Sequence, residues 1–344
     1  MANKISEPKK ILIFELNWMG DILFSEPLIR AIKETYPESY ITCAMVPRYV
    51  DLLANNPWVD EIIELSDNRS FLSFFEKIGF LNVIRKKHFD TCIFLKPSRT
   101  KVIMAMLSGI KDRIGFISSK RTFFTRVVMA DDSCHRVEQI LSLAGAMDAP
   151  FPRSHHYEYF VTDEDMKKME VTLASSGYKG GDIIVLNPGG NWGAKRWPQK
   201  YFAELAEMLI KKYPGAEIVI SGAKKDIGLA GAILKDTGCA RCMSLAGKTH
   251  IKELAALFKK AKLVISSDSG PMHLASAVGS PTLAIFGPTS AKLTGPYGKG
   301  KNKVLQRYVE CAVPCYKEKC DKDYVCIKQI SAREVFNAAC EMME

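Results

Sequence analysis

Short apolar runs alternate with helix-patterned stretches through most of this chain, and that alternation restricts the folds open to it. Residues 10–16, 40–46, 61–65 and 88–95 read as strands. Helices are expected over 21–36 and 47–55, and a basic helix end precedes residue 88. The plan then repeats, with strands at 182–187, 217–221, 243–246, 263–267 and 282–286. Helices at 198–212, 226–236, 251–260 and 271–278 separate them. Strands spaced by helices imply βαβ units and a parallel sheet. Two helix ends even match, Ile-Lys-Glu-Thr-Tyr-Pro at 32–37 and Ile-Lys-Lys-Tyr-Pro at 210–214, each ahead of a strand. The expected architecture is α/β, with two doubly wound Rossmann-like domains at 1–162 and 163–330 and a linker near 159–165. Ligands of such sheets bind beyond the carboxyl ends of the strands, and two sheets facing each other would form a cleft.

Charge is unevenly spread. Eleven Lys and Arg stand against Asp90 and Asp112 between Arg85 and Arg126, so this segment carries nearly all of the net +10. A focused basic region suits a phosphate-rich partner, whether anionic lipid, phosphorylated glycan or nucleic acid, or is simply a solvated face. No apolar run approaches the roughly 20 residues of a membrane span. The polar start lacks the apolar stretch of an export signal, so a cytoplasmic, reducing setting with mostly free thiols is expected for the ten cysteines. Cys239 and Cys242 form a C-x-x-C ahead of a strand, which reads as a chance pair rather than a redox site.

The common nucleotide loops are absent. No G-x-G-x-x-G follows a strand, and the Gly-Lys-Thr at 247–249 has Cys242 where a P-loop needs its first glycine. Three other elements carry polar chemistry at strand-to-helix junctions. At 266–273, Ser-Ser-Asp-Ser-Gly-Pro-Met-His opens a helix. The amides of Ser269 and Gly270 could hold a diphosphate and Asp268 sugar hydroxyls, or Asp268 or Ser269 could be an ordinary N-cap. At 187–198, Asn-Pro-Gly-Gly-Asn-Trp-Gly-Ala-Lys-Arg-Trp-Pro pairs flexible Gly189 and Gly190 with Lys195 and Arg196, cations suited to phosphate. At 17–21, Asn-Trp-Met-Gly-Asp places Asp21 at a helix start, as a cap or as a carboxylate able to take a proton from an attacking hydroxyl.

In this order and spacing the three elements resemble the heptosyltransferases that build the lipopolysaccharide inner core (glycosyltransferase family 9), most closely the heptosyltransferase II type. Gly-Ile-Lys-Asp-Arg-Ile-Gly-Phe at 109–116 and Phe-Gly-Pro-Thr at 286–289 resemble them too, and the likeness runs from about residue 10 to 297. The resemblance implies a GT-B fold and inverting transfer from ADP-heptose to a lipid-linked glycan. Asp21 would be the general base and Lys195 a contact to the donor. Gly189, Gly190, Asp268, Ser269, Gly270 and His273 would surround that donor, with Asp226 at the ribose and Thr249 near the adenine. It places the acceptor in the first domain, where Lys96, Arg99, Arg113 and Arg121 are candidate contacts. It also implies peripheral attachment to the anionic inner-membrane surface, and a last helix (331–344) packed back on the first domain. No carboxylate cluster calls for an obligatory metal, leaving Mg²⁺ at most stimulatory.

Cys311, Cys315, Cys320 and Cys326 are spaced C-x₃-C-x₄-C-x₅-C, looser than paired zinc knuckles. Zn²⁺, disulfides and free thiols all stay open there, with Zn²⁺ not favoured. Ser331 followed by Glu334 predicts a capping box for the last helix. Competing functions are transfer or epimerisation of another nucleotide sugar, and non-catalytic binding of an anionic glycan or nucleic acid. No nucleic-acid reading motif is present, so nucleic acid is not an expected partner.

Overall fold

The computed structural model describes residues 8–66, 72–96, 98–117, 123–152, 154–315, 317 and 320–344, with 72–75 as backbone. The chain divides into two compact units, 1–157 and 158–344. In the first, strands β1 (Lys10–Phe14), β2 (Tyr40–Met45), β3 (Glu61–Glu64), β4 (Thr91–Phe94), β5 (Asp112–Phe116) and β6 (Arg126–Val128) form one sheet. Helices α1 (Met19–Thr35), α2 (Leu72–Lys87), α3 (Arg99–Leu107) and α4 (Arg136–Leu141) connect or flank them. The strand order is β3-β2-β1-β4-β5-β6, every pairing is parallel, and Ile13 lies between Cys43 and Ile93 in register.

The second unit holds β7 (Ile183–Asn187), β8 (Glu217–Ile220), β9 (Cys242–Ser244), β10 (Leu263–Ser267), β11 (Thr282–Phe286) and β12 (Asn302–Gln306). Around them stand α5 (Asp163–Ser175), α6 (Gln199–Lys212), α7 (Ile227–Thr237), α8 (Ile251–Lys260), α9 (Gly270–Ala277), α10 (Ala291–Thr294), α11 (Val325–Lys328) and α12 (Ala332–Met343). Its parallel order, β9-β8-β7-β10-β11-β12, repeats that of the first sheet. The central strands β1, β7 and β10 are apolar almost throughout because a parallel sheet is covered on both faces. Ile184, Leu186, Trp197, Phe202 and Ile265 anchor the second core, while Phe14 stacks on Phe94 in the first.

Two expectations need correction. Residues 47–55 do not form an α-helix; Pro47–Leu52 is a 3₁₀ turn, too short to bury an apolar stripe. The last helix, expected on the first domain, packs on α6 in the second unit. Its apolar face of Val335, Ala338, Ala339 and Met342 completes that core. Three peripheral strands, β5, β6 and β12, are not legible as strands in the sequence, because short runs such as Asp-Arg-Ile-Gly-Phe and Asn-Lys-Val-Leu-Gln carry no continuous apolar stretch. Among the described residues no helix is long and apolar enough to cross a membrane.

The capping box of α12 forms as its sequence predicts. The Glu334 amide donates to Ser331 Oγ at 3.3 Å, and the Ser331 amide to Glu334 Oε2 at 3.2 Å. Ser331→Ala is expected to cost about 1 kcal/mol, read as a lowered urea midpoint with an unchanged slope.

Candidate functional site

Both sheets reverse their winding between two central strands, β1 and β4 in one unit, β7 and β10 in the other. A doubly wound sheet opens a crevice for ligands at that point, because the crossovers leave it in opposite directions. The loops leaving these strands carry all three polar elements.

In the second unit the site is built on Asn187, the last residue of β7. Its Nδ2 donates to Ser266 Oγ at 2.9 Å and Ser269 Oγ at 3.0 Å, while its Oδ1 accepts from Ser221 Oγ at 3.1 Å. One buried amide thus fastens the carboxyl ends of β7, β8 and β10. Ser269 holds the N-cap position of α9, yet its hydroxyl makes no cap bond and donates instead to the Ser267 carbonyl at 3.1 Å. The ordinary side-chain cap is therefore absent there, and the first turn keeps its field for an anion.

Beside it lies Asp268, only 4% exposed. Lys195 Nζ sits 2.7 Å from Asp268 Oδ2, and the Thr289 hydroxyl donates to the same oxygen. A carboxylate this deep needs such partners, since removing either would leave buried charge uncompensated. Gly189 and Gly190 shape the neighbouring loop. A Cβ on Gly189 would come within 2.7 Å of Asp226 Oδ2, and the Gly190 carbonyl accepts from Arg196 Nε at 3.0 Å and Nη2 at 2.6 Å. Asp226 is buried, accepts the Ala223 amide at 3.0 Å and lies 3.9 Å from the Arg196 guanidinium. Thr249 is half-buried ahead of α8. Its loop is held to the loop bearing Asp226 by the Gly247 amide, which donates to the Gly222 carbonyl at 2.9 Å. His273 is buried in α9.

In the first unit Asp21 lies half-buried in the first turn of α1. Trp18 occupies the N-cap position and makes no side-chain cap bond, so Asp21 is not the cap. Beyond the ends of β1 to β4 opens a cavity of about 380 Å³, lined by Asn17, Ser66, Lys77, Ser98, Thr100 and Lys101 with an apolar wall. Lys101 Nζ donates to the Glu15 carbonyl at 3.1 Å and stands over the Phe14 ring. Lys96 and Arg99 are exposed at the end of β4 and the start of α3. Arg113 Nε and Nη1 donate to the Phe123, Ile110 and Lys111 carbonyls at 2.8, 2.6 and 3.0 Å, which ties two of its three guanidinium nitrogens into the fold. Arg121 lies outside the described residues.

All ten thiols are free. The Cys315 amide donates to the Pro288 carbonyl at 2.7 Å and Cys320 Sγ accepts the Tyr324 amide at 3.3 Å, so the cysteine-rich tail rests against the loop bearing Thr289. Among the described residues no three His, Cys, Asp or Glu side chains gather as a metal site.

Sequence reasoning overlooks Glu15 and Lys77, counts Lys101 only among the basic residues of the first domain, and gives Asn187 and Thr289 no role. Polar residues at the ends of apolar strands were the available signal. Glu15 is the most perturbed of these. Burial pushes its carboxyl from 4.5 up to about 8, against the opposing bond from Ser25. Ser25 Oγ lies 3.0 Å from both carboxyl oxygens and 2.7 Å from the Ile22 carbonyl. The Ser25 hydroxyl is the donor in these contacts, which favours the charged carboxyl, and burial outweighs it.

Two doubly wound units, with phosphate-suited loops at the switch point of the second, have the architecture of the GT-B class of glycosyltransferase. Residues 80–325 match glycosyltransferase family 9 (heptosyltransferase), and the chain belongs to that family. It is 30% identical over 303 residues to lipopolysaccharide heptosyltransferase 2 of Salmonella typhimurium, covering 83% of this chain and 85% of that one. The solved ADP-heptose lipopolysaccharide heptosyltransferase II of E. coli superposes with a TM-score of 0.79 at 25% identity, over 97% of this chain and 98% of the other. A family 9 glycosyltransferase from Veillonella parvula shares the fold, with a TM-score of 0.84 at 21% identity over 98% and 99% of the two chains.

Because the folded state keeps the Glu15 proton that the unfolded chain releases, stability from this group is full below about pH 4.5 and is lost as pH rises toward 8. Glu15→Gln should flatten that decline, which approaches about 1.4 kcal/mol per pH unit at most. Urea unfolding of both proteins at several pH values across this window checks it. Thr289→Val removes a donor from buried Asp268 and should destabilise the protein by about 1–3 kcal/mol in the same assay.

Proposed function

We propose that this glycosyltransferase moves heptose from ADP-heptose onto the lipid-linked inner core of lipopolysaccharide, with inversion at the anomeric carbon. The observation that carries the reading is the Lys195–Asp268 pair beside the uncapped start of α9, in the switch-point crevice of the second sheet. The names of the relatives supply the donor and acceptor classes.

Inversion is a single displacement. The acceptor hydroxyl gives its proton to Asp21 as its oxygen bonds to the anomeric carbon, and the bond from that carbon to the phosphate oxygen breaks with its electron pair on ADP. Lys195 and the amides of Ser269 and Gly270 stabilise the departing diphosphate, where charge develops in the transition state. Asp268, fixed by Thr289, takes hydrogen bonds from heptose hydroxyls. Gly189, Gly190 and His273 shape the donor site, Asp226 lies toward the ribose and Thr249 toward the adenine. No metal is required for this charge stabilisation, and Mg²⁺ is at most stimulatory. In the first unit, Lys77 and Lys101 suit an anionic group of the acceptor inside the cavity, with Lys96 and Arg99 outside it. Such an acceptor puts the enzyme at the cytoplasmic face of the inner membrane.

Asp21→Asn should lower transfer by about 10²–10⁴-fold while calorimetric ADP affinity stays unchanged; joint loss of both, or full activity, rejects the base role. Titration with ADP, UDP and GDP tests the donor. Selective ADP binding weakened by Lys195→Ala supports the assignment, whereas preference for UDP or GDP changes the sugar class.

A further inference from the structure

The outer face of α3 has no role in the site just described. Ile103, Met106 and Leu107 are 46%, 43% and 55% exposed, and their spacing sets them on one side of the helix. The other sides of α3 are occupied. Val102 and Ala105 are fully buried in the core, while Thr100, Lys101 and Met104 line the cavity. Val83 of the adjoining α2 is also exposed, at 40%.

Cations border this apolar stripe. Arg85 Nη2 donates to the Leu107 carbonyl at 2.8 Å, which sets a guanidinium at its edge. Lys86 is exposed in the last turn of α2 and Lys111 just after α3. The two acids of the basic segment are engaged elsewhere in the fold. Asp90 accepts the Lys9 and Lys10 amides at 2.8 and 2.9 Å, and Asp112 is paired with Arg126 at 2.6 Å. Glu76, the one acid of α2, lies toward its opposite end.

We infer that this face, the outer side of α3 with the end of α2, lies on an anionic lipid bilayer. Apolar side chains flanked by lysine and arginine suit the interface between acyl chains and anionic headgroups. A second copy of the same face would bring like charges together, which opposes self-association. The inference rests on the reading of a lipid-linked acceptor, since α3 would then bring its cavity-lining Thr100 and Lys101 to the headgroup layer.

Co-sedimentation with phosphatidylglycerol–phosphatidylcholine vesicles and with phosphatidylcholine vesicles tests it, with ADP binding measured on the same samples. The intact chain should bind the anionic vesicles and be released by salt. The triple change Ile103→Asp, Met106→Asp and Leu107→Asp should weaken binding by roughly tenfold or more. Independently, Lys86→Glu with Lys111→Glu should do the same, at about fivefold or more for each cation lost from an anionic surface. Both variants should keep the ADP affinity, because none of these side chains belongs to the donor site. Retained ADP binding with no vesicle binding by the intact chain overturns the docking face and leaves the donor reading standing. Vesicle binding unchanged in both variants overturns it too, as does a dimer dispersed by the triple change without any lipid binding.

Discussion

A parallel sheet can be joined only through crossovers, and its two faces must both be covered. In this protein that constraint applies to both sheets. It clears polar groups from the middle of the central strands and confines them to the strand ends. It also brings every carboxyl end of a sheet to one rim. Glu15 beyond β1, Asn187 at the end of β7 and Asp268 beyond β10 are consequences of that exclusion. The strand order repeated in the two units then sets each cluster at a switch point, where the crossovers part.

The rim of the second sheet is organised as a network of satisfied buried groups. Asn187 joins three strand ends, and Asp268 is compensated by Lys195 and Thr289. Such a network holds side chains before any ligand arrives, which lowers the reorganisation needed during transfer. It also draws on the end of the chain. Trp197 Nε1 donates to the Ile330 carbonyl at 2.7 Å, just ahead of α12, and the Cys315 amide holds the Pro288 carbonyl next to Thr289. The C-terminal segment thus braces two of the loops that carry the donor candidates, which accounts for α12 belonging to this core.

In the first unit one short helix divides its surface among three tasks. α3 buries Val102 and Ala105, lends Thr100 and Lys101 to the cavity, and presents Ile103, Met106 and Leu107 outward. Its basic neighbours are of two kinds that net charge cannot separate. Arg113 and Arg126 are bound to carbonyls or to a carboxylate within the fold, while Lys86 and Lys111 remain exposed.

The amino-acid sequence by itself determined the α/β class, the repeated parallel plan and the three polar elements. Apolar periodicity and strand-to-helix junctions are local properties, written in adjacent residues. The cap of α12 was legible for the same reason, since Ser331 and Glu334 are three residues apart. Only the tertiary structure decided which polar residues meet. Asn187 finds Ser266 and Ser269 some 80 positions away, Thr289 reaches Asp268 across two strand ends, and α12 chooses its core through packing that no local pattern specifies. Arg113 stands out in the sequence because charge is visible there, whereas the carbonyls that hold two of its guanidinium nitrogens are set by the path of the folded backbone.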